Sequence, residues 1–389
     1  MSLIPYARQN INEADIQEVI KVLGSAWLTQ GPVIRRFEEA VADYCGVKYA
    51  VAVNSATSAL HIACLAAGLD ENDSLWTSPN TFVASANCGR YCGAGVDFVD
   101  IDPQTYNLSA EKLEAKLEKA SREGCLPRVV IPVHFAGQSA EMQKMAALSD
   151  KYGFTVIEDA SHGIGGSYLD KKIGCCEFSE MTVFSFHPVK IITSGEGGMV
   201  LTNREDLYQK LIRLRSHGIT GKPELMTREA DGPWYYQQID LGFNYRMTDI
   251  QAALGYSQLQ RIDEFVAHRR YLVNRYNQLL KDFPLTLPWQ HPDTDSAFHL
   301  YVIRLQLDRI RRSHREVFEA MRTKEIMVNL HYIPVHTQPY YQNLGFKVGD
   351  FPEAEQYYRE AISLPLFYGL KEEEQDYVVE VLRELIVSS

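Results

Sequence analysis

The sequence predicts an α/β protein, with a mixed and mostly parallel sheet covered by helices on both faces and a smaller α+β domain after it. Three observations carry this. From Tyr49 onward, short apolar runs alternate with helical stretches, the rhythm of strand–helix–strand units. The segments 54–58, 159–162 and 185–190 follow or end such runs, at the carboxyl ends of strands where sheets of this kind bind ligands. Beyond about residue 256 the alternation gives way to two strands and three helices. Residues 1–255 are therefore assigned to an N-terminal arm and large domain, and residues 256–389 to a small C-terminal domain.

Asn12, with Glu13 and Asp15 after it, caps a first helix whose Ile16, Val19, Ile20 and Leu23 share one face. A loop through Trp27 and Pro32 leads to a second helix (Ile34, Phe37, Val41, Tyr44) that stops at Gly46. Residues 49–53 read as a strand turning through Asn54-Ser-Ala-Thr-Ser58 into a helix over 59–69. Strands follow near 75–77, 96–99, 129–133, 154–158, 182–186 and 199–202, with helices between most of them, among them 140–152 and 205–215. Residues 249–281 read as one long helix joining the two domains. The small domain then supplies strands at 299–305 and 326–328 and helices at 313–323, 352–361 and 372–386.

With 389 residues, 46% of them hydrophobic and 23% charged, the chain has ample material for a core. Its net charge of −11 argues against nucleic acid as a partner, because phosphate backbones want a basic face. No apolar run reaches the roughly 20 residues that span a bilayer, so no membrane partner is expected. The first residues lack the charged-then-apolar form of a signal peptide. Seven cysteines, an odd number scattered through apolar stretches, fit a reducing cytoplasm. Neither Cys88-x3-Cys92 nor Cys175-Cys176 has a partner pair at zinc spacing, so no metal is expected.

The chemistry centres on Val183-Phe-Ser-Phe-His-Pro-Val-Lys190 and the glycines up to Gly198. A lysine held between two strands is stripped of water, which lowers its pKa and frees an amine to attack a carbonyl; most lysines, by contrast, are solvated surface charges. Asp159 leaves the end of an apolar strand and needs a cationic partner. That partner is a protonated ring nitrogen of a bound pyridine, or else Asp159 is a structural ion pair or helix cap. Asn54-Ser-Ala-Thr-Ser58 offers backbone N–H groups and hydroxyls at a helix start, which suits a phosphate, though such residues also cap helices with no anion present. Phe82 is either core or a plate for a flat cofactor. A lysine, a strand-end aspartate, a phosphate cradle and an aromatic plate are together what pyridoxal 5′-phosphate (PLP) requires. Gly163-Ile-Gly165-Gly166 does not complete the G-x-G-x-x-G of a dinucleotide site.

These motifs, together with Leu28-Thr-Gln-Gly31, Gly242-Phe-Asn-Tyr-Arg-Met247 and Ile362-Ser-Leu-Pro365, resemble the DegT-type sugar-nucleotide aminotransferase family nearly end to end. The resemblance implies a fold-type-I PLP aminotransferase, with a seven-strand sheet and a likeness in its catalytic parts. It implies that Lys190 carries the cofactor, Asp159 meets the ring nitrogen and His162 lies near the phenolic oxygen. Ala56, Thr57 and Ser185 would hold the cofactor phosphate, Asn244 would reach in from a second subunit of a homodimer, and Phe82 would stack on the ring. Many relatives have Gly-Thr where this chain has Ala56-Thr57, which backbone N–H binding tolerates.

The stretch Val328-Asn-Leu-His331-Tyr-Ile-Pro-Val-His336 narrows the resemblance to the pseudaminic-acid branch of that family. This implies L-glutamate as amino donor and a UDP-linked 4-keto-6-deoxy-L-altrose-type sugar as acceptor. The nucleotide-sugar contacts would be Tyr6, Trp27, Leu28, Thr29, Gln30, Asn329, Leu330, His331 and Tyr332, with His217 and His336 added. Each has a plainer alternative: Tyr6 as packing for the N-terminal arm, His217 as a helix cap, the Pro339-Tyr-Tyr341 run as domain-interface core. Another UDP- or dTDP-4-keto sugar is the rival substrate. Family members that dehydrate at C3 carry histidine at the lysine position, and Lys190 argues against that chemistry; a catalytically idle regulator would lack part of the cofactor set, which is complete.

Overall fold

The structure, a computed structural model, describes residues 3–387. Seven strands form the central sheet: β1 (Tyr49–Val53), β2 (Ser74–Thr77), β3 (Gly95–Phe98), β4 (Val129–Ile131), β5 (Thr155–Asp159), β6 (Met181–Ser185) and β7 (Gly198–Thr202). Their spatial order is β1-β7-β6-β5-β4-β2-β3. Neighbours are parallel except β7, which runs against both β1 and β6. The carboxyl ends of β1, β5 and β6 therefore share one edge, and β7 starts there: Gly198 pairs with both Val53 and Ser185.

Both faces are buried, and the strand period of two divides side chains between them. In β1, Ala50 and Ala52 face a core built with α2 (Pro32–Cys45), whereas Val51 and Val53 face one built with α3 (Ala56–Ala66). Likewise Phe184 of β6 lies on the first side and Val183 on the second. Helix α2 ends where Gly46 adopts a left-handed φ of 72°. The predicted strands and helices recur with end shifts of a few residues. The shift that matters is at α3, which starts at Ala56 with Ser55 as its N-cap, so Ala56 and Thr57 occupy its first turn.

One expectation is corrected. Residues 249–281 form two helices, Asp249–Leu259 and Ile262–Leu280. Neither Gly nor Pro marks the break; Arg261 is drawn aside to Asp15 (2.6 Å) and to Asn10. The first helix, α1 (Glu13–Leu23), is capped by Asn12 as predicted, with Asp15 completing a capping box. Its apolar face, however, lies open in this chain: Ile16 is 44%, Ile20 49% and Leu23 56% exposed. The helix docks instead through fully buried Asp15, which accepts from Ser257, Gln258 and Arg261.

The helix Ile262–Leu280 passes from one core to another: Ile262, Phe265 and Val266 pack with the large sheet, Leu272, Val273 and Tyr276 with a second cluster. That cluster surrounds a three-stranded antiparallel sheet in which Tyr301–Leu305 lies between Leu285–Thr286 and Ala361–Leu364. The N-terminal arm joins it, since Ile4 pairs in parallel with Ile326 and is buried there. Among the described residues no helix is long and apolar enough to cross a membrane.

Candidate active site

Between the carboxyl edge of the seven-stranded sheet and the 329–332 segment lies a cavity of about 930 Å³. The sheet and the segments around it contribute Ala56, Thr57, Phe82, Asp159, His162, Ser185 and Lys190, and Asn329, Leu330, His331 and Tyr332 line it together with Tyr6 of the arm. Topology brings these together: β1, β5 and β6 end side by side, and each hands its next residues to the cavity.

Asp159, the last residue of β5, is buried and fully engaged. Ser161 donates to Oδ1 through its N–H (3.1 Å) and its hydroxyl (2.6 Å), and the Ser85 hydroxyl donates to Oδ2 (2.6 Å). Ser85 is held in turn by Thr81 (2.7 Å). The carboxylate cannot rotate away from the cavity without breaking these bonds. Lys190 follows β6 in a loop and keeps accessible surface in the cavity, yet protein atoms crowd its amine. This desolvation lowers the amine's pKa to about 8, while the Asp159 charge acts in the opposite direction.

Three buried imidazoles surround this pair. His162 is held well below its ordinary pKa by burial first, then by the nearby Lys190 charge. Burial and Lys190 bring His331 down to about 3; its Nδ1 lies 2.8 Å from Ser363 Oγ and its Nε2 3.3 Å from the Asn329 amide. His299, 2% exposed, lies with its ring centroid 4.3 Å from that of His162, and burial lowers its pKa well below normal. All three are therefore neutral at physiological pH, and Lys190 and Asp159 supply the charge in this part of the cavity.

The residues present fit PLP. The first-turn N–H groups of α3, which the helix leaves unbonded, face the cavity at Ala56 and Thr57 beside Ser185, an arrangement suited to a phosphate. Gly198 packs tightly behind this turn, where a Cβ would lie 2.5 Å from Ala56 N and Ser55 C. Phe82 is 57% exposed despite lining the cavity, as a ring awaiting a flat ligand would be. Among the described residues no group of three His, Cys, Asp or Glu side chains is placed to hold a metal ion.

Other sequence-predicted residues stand elsewhere in this chain. Trp27, Leu28, Thr29 and Gln30 form an exposed loop, tied to the sequence before Gln251 by a bridge from Thr29 to Thr248. His217 and Asn244 are exposed and outside the cavity. His336 is fully buried and bonded to Glu355 (3.0 Å), next to Phe98 and Phe351. Sequence reasoning gave no role to Ser85, Ser161 or His299. Ser85 stands three residues after Phe82, and His299 opens the strand predicted at 299–305.

A match to the DegT/DnrJ/EryC1/StrS aminotransferase family spans residues 9–383. The chain is 37% identical over 386 residues to the spore coat polysaccharide biosynthesis protein SpsC of Bacillus subtilis, covering 98% of this chain and 97% of SpsC. It is 35% identical over 385 residues to the UDP-4-amino-4,6-dideoxy-N-acetyl-beta-L-altrosamine transaminase of Campylobacter jejuni, covering 99% and 98%. Among solved structures, Helicobacter pylori PseC, an aminotransferase involved in the biosynthesis of pseudoaminic acid, matches with a TM-score of 0.90 at 30% identity over 100% of both chains. The chain belongs to the DegT/DnrJ/EryC1/StrS aminotransferase family, and PLP is its cofactor.

Proposed function

We propose that the chain transfers the amino group of L-glutamate to C4 of a UDP-linked 4-keto-6-deoxy-L-altrose-type N-acetyl amino sugar. The product is UDP-4-amino-4,6-dideoxy-N-acetyl-β-L-altrosamine, a step toward pseudaminic acid. The observation that carries the reading is the cavity itself, in which a lysine amine with a pKa of about 8 and a triply bonded aspartate face a wall of Tyr6, Asn329, Leu330, His331 and Tyr332. The Campylobacter and Helicobacter relatives support the choice of sugar.

PLP, when bound, supplies the sink for the electrons left as the donor's α-proton departs. Lys190 accepts that proton and returns it to the neighbouring carbon, a task suited to an amine whose pKa lies near the working pH. Asp159 holds a proton on the ring nitrogen, and its three hydrogen bonds keep it aimed there. Ala56 and Thr57 N–H groups and the Ser185 hydroxyl would hold the phosphate, and Phe82 would cover one face of the ring. The glutamate skeleton must leave before the sugar enters the same space, so the kinetics are ping-pong.

A panel of UDP- and dTDP-4-keto sugars, with products identified by mass spectrometry, tests the substrate. The altrose-type UDP sugar is expected to be aminated at least about ten-fold faster than the others, the scale of a few lost polar contacts. Preference for another sugar would replace this reading with the second one, amination of a different 4-keto-6-deoxy sugar nucleotide. What supports that reading is the 37% identity to SpsC, a protein named for spore coat polysaccharide biosynthesis.

The reading extends to a homodimer. Ile16, Ile20 and Leu23 make an uncovered stripe that continues into Trp27 and Leu28, and solvated monomers rarely leave such a patch open. A second copy would cover it and deliver Asn244 and the 27–30 loop to the opposite cavity. Ile20→Glu should shift the protein to monomer by sedimentation velocity; a wild-type monomer with full activity would overturn the dimer. Seven unpaired cysteines support cytoplasmic residence.

A further inference from the structure

We propose that Tyr332 donates its phenolic hydrogen to the phenolic oxygen of the bound pyridine ring, and that His162 is the positioning residue that leaves Tyr332 free to do so. This rests on PLP binding with its ring nitrogen at Asp159. The argument is one of donors and acceptors. The Ala136 backbone N–H points at His162 Nδ1 over 3.3 Å. A backbone N–H can only donate, so Nδ1 must be the unprotonated nitrogen. Burial beside Lys190 and His331 keeps the ring neutral, and its single hydrogen is therefore on Nε2. Nε2 lies 3.1 Å from Tyr332 Oη, which makes Tyr332 the acceptor of that bond and leaves the phenol's own hydrogen without a partner on His162.

Tyr332 is placed to spend that hydrogen in the cavity. Its backbone N–H is fixed by Asn80 Oδ1 (3.2 Å), its ring lies against Phe82 and Phe135, and it lines the same space as Asp159 and Lys190. Burial, then the Asp159 charge, push its phenol pKa upward, so the hydrogen stays on. Both nitrogens of His162 are occupied, so the imidazole has no polar atom left for the ring oxygen expected near it. Tyr332, one hydrogen bond further on, has.

The test is a ligand-deletion cycle on the full chain freed of cofactor. The probes are pyridoxine 5′-phosphate, an alcohol that cannot condense with Lys190, and its 3-deoxy counterpart. A lost hydrogen bond to a charged oxygen is worth roughly ten-fold or more in affinity. Tyr332→Phe should weaken pyridoxine phosphate about ten-fold by that measure and the 3-deoxy ligand less than about two-fold. His162→Leu should reproduce the pattern, and His162→Gln, whose amide can donate where Nε2 does, should retain most of the affinity. Equal losses for the two ligands would make Tyr332 merely structural and overturn the proposal, as would no loss at all. Nitrogen-15 NMR of histidine-labelled wild-type protein gives a check that needs no variant: His162 should report a bare Nδ1, and the opposite tautomer would overturn the relay. If wild-type protein binds neither probe, the cofactor placement fails and this inference with it; if it binds pyridoxine phosphate without the coupling, this inference alone fails.

Discussion

Ser85 donates its hydroxyl to Oδ2 of Asp159 over 2.6 Å, linking the first turn of the helix Ala84–Tyr91 to the last residue of β5 across 74 positions of sequence. Because Ser161 holds the other oxygen, Ser85 decides how firmly the carboxylate faces the cavity. Ser85→Ala should weaken PLP binding by roughly 1–2 kcal/mol, the loss of one charged hydrogen bond. Fluorescence titration of the cofactor-free protein measures it, and unchanged affinity would remove Ser85 from the site.

Gly198 packs against the start of α3, the turn proposed to hold the phosphate. Its substitution by Ala puts a Cβ 2.5 Å from Ala56 N and Ser55 C, backbone atoms of the α3 start that cannot swing aside. Gly198→Ala should therefore lower affinity for PLP at least about ten-fold, with a much smaller effect on pyridoxal, which lacks the phosphate. Equal losses for the two would place the phosphate elsewhere.

The depressed pKa of Lys190 has a signed consequence for pH. An amine with an ordinary value near 10.5 would speed its reaction with an aldehyde across the whole range to pH 10, as the neutral form grows. With the value at about 8, the rate of PLP capture by cofactor-free protein should rise to about pH 8 and then level off. Stability moves likewise. Between about pH 8 and the unfolded lysine's value near 10.5, the unfolded chain binds more protons, so the cofactor-free protein gains stability as pH rises through that window. Stopped-flow absorbance and urea titrations at several pH values check both.

Asp15 is fully buried with Arg261, Ser257 and Gln258 on its oxygens. Asp15→Ala would strand the Arg261 guanidinium and should cost about 3–5 kcal/mol of stability, read from urea denaturation.

The parts of the site legible in the sequence are those whose position follows from a strand. Asp159 and Lys190 could be placed because an apolar run ends just before each, and the 54–58 turn because a strand leads into it. Asn329, Leu330, His331 and Tyr332 came from resemblance alone, since nothing local says that this loop crosses to the large domain. Ser85 and Ser161 were missed because a serine gains its role from what it meets in three dimensions. Periodicity found the apolar stripe of α1 but does not say what covers it. The break at Arg261 carries no Gly or Pro; what accompanies it is a set of hydrogen bonds to Asp15 and Asn10, far away in sequence.

The attachment point of the cofactor is the central claim. Borohydride reduction of the PLP-loaded protein, followed by peptide mass spectrometry, should place the adduct on Lys190, and Lys190→Ala should lose the adduct, the visible absorbance and the glutamate half-reaction together. An adduct on another lysine, or a Lys190→Ala protein that transaminates at a comparable rate, would contradict the account.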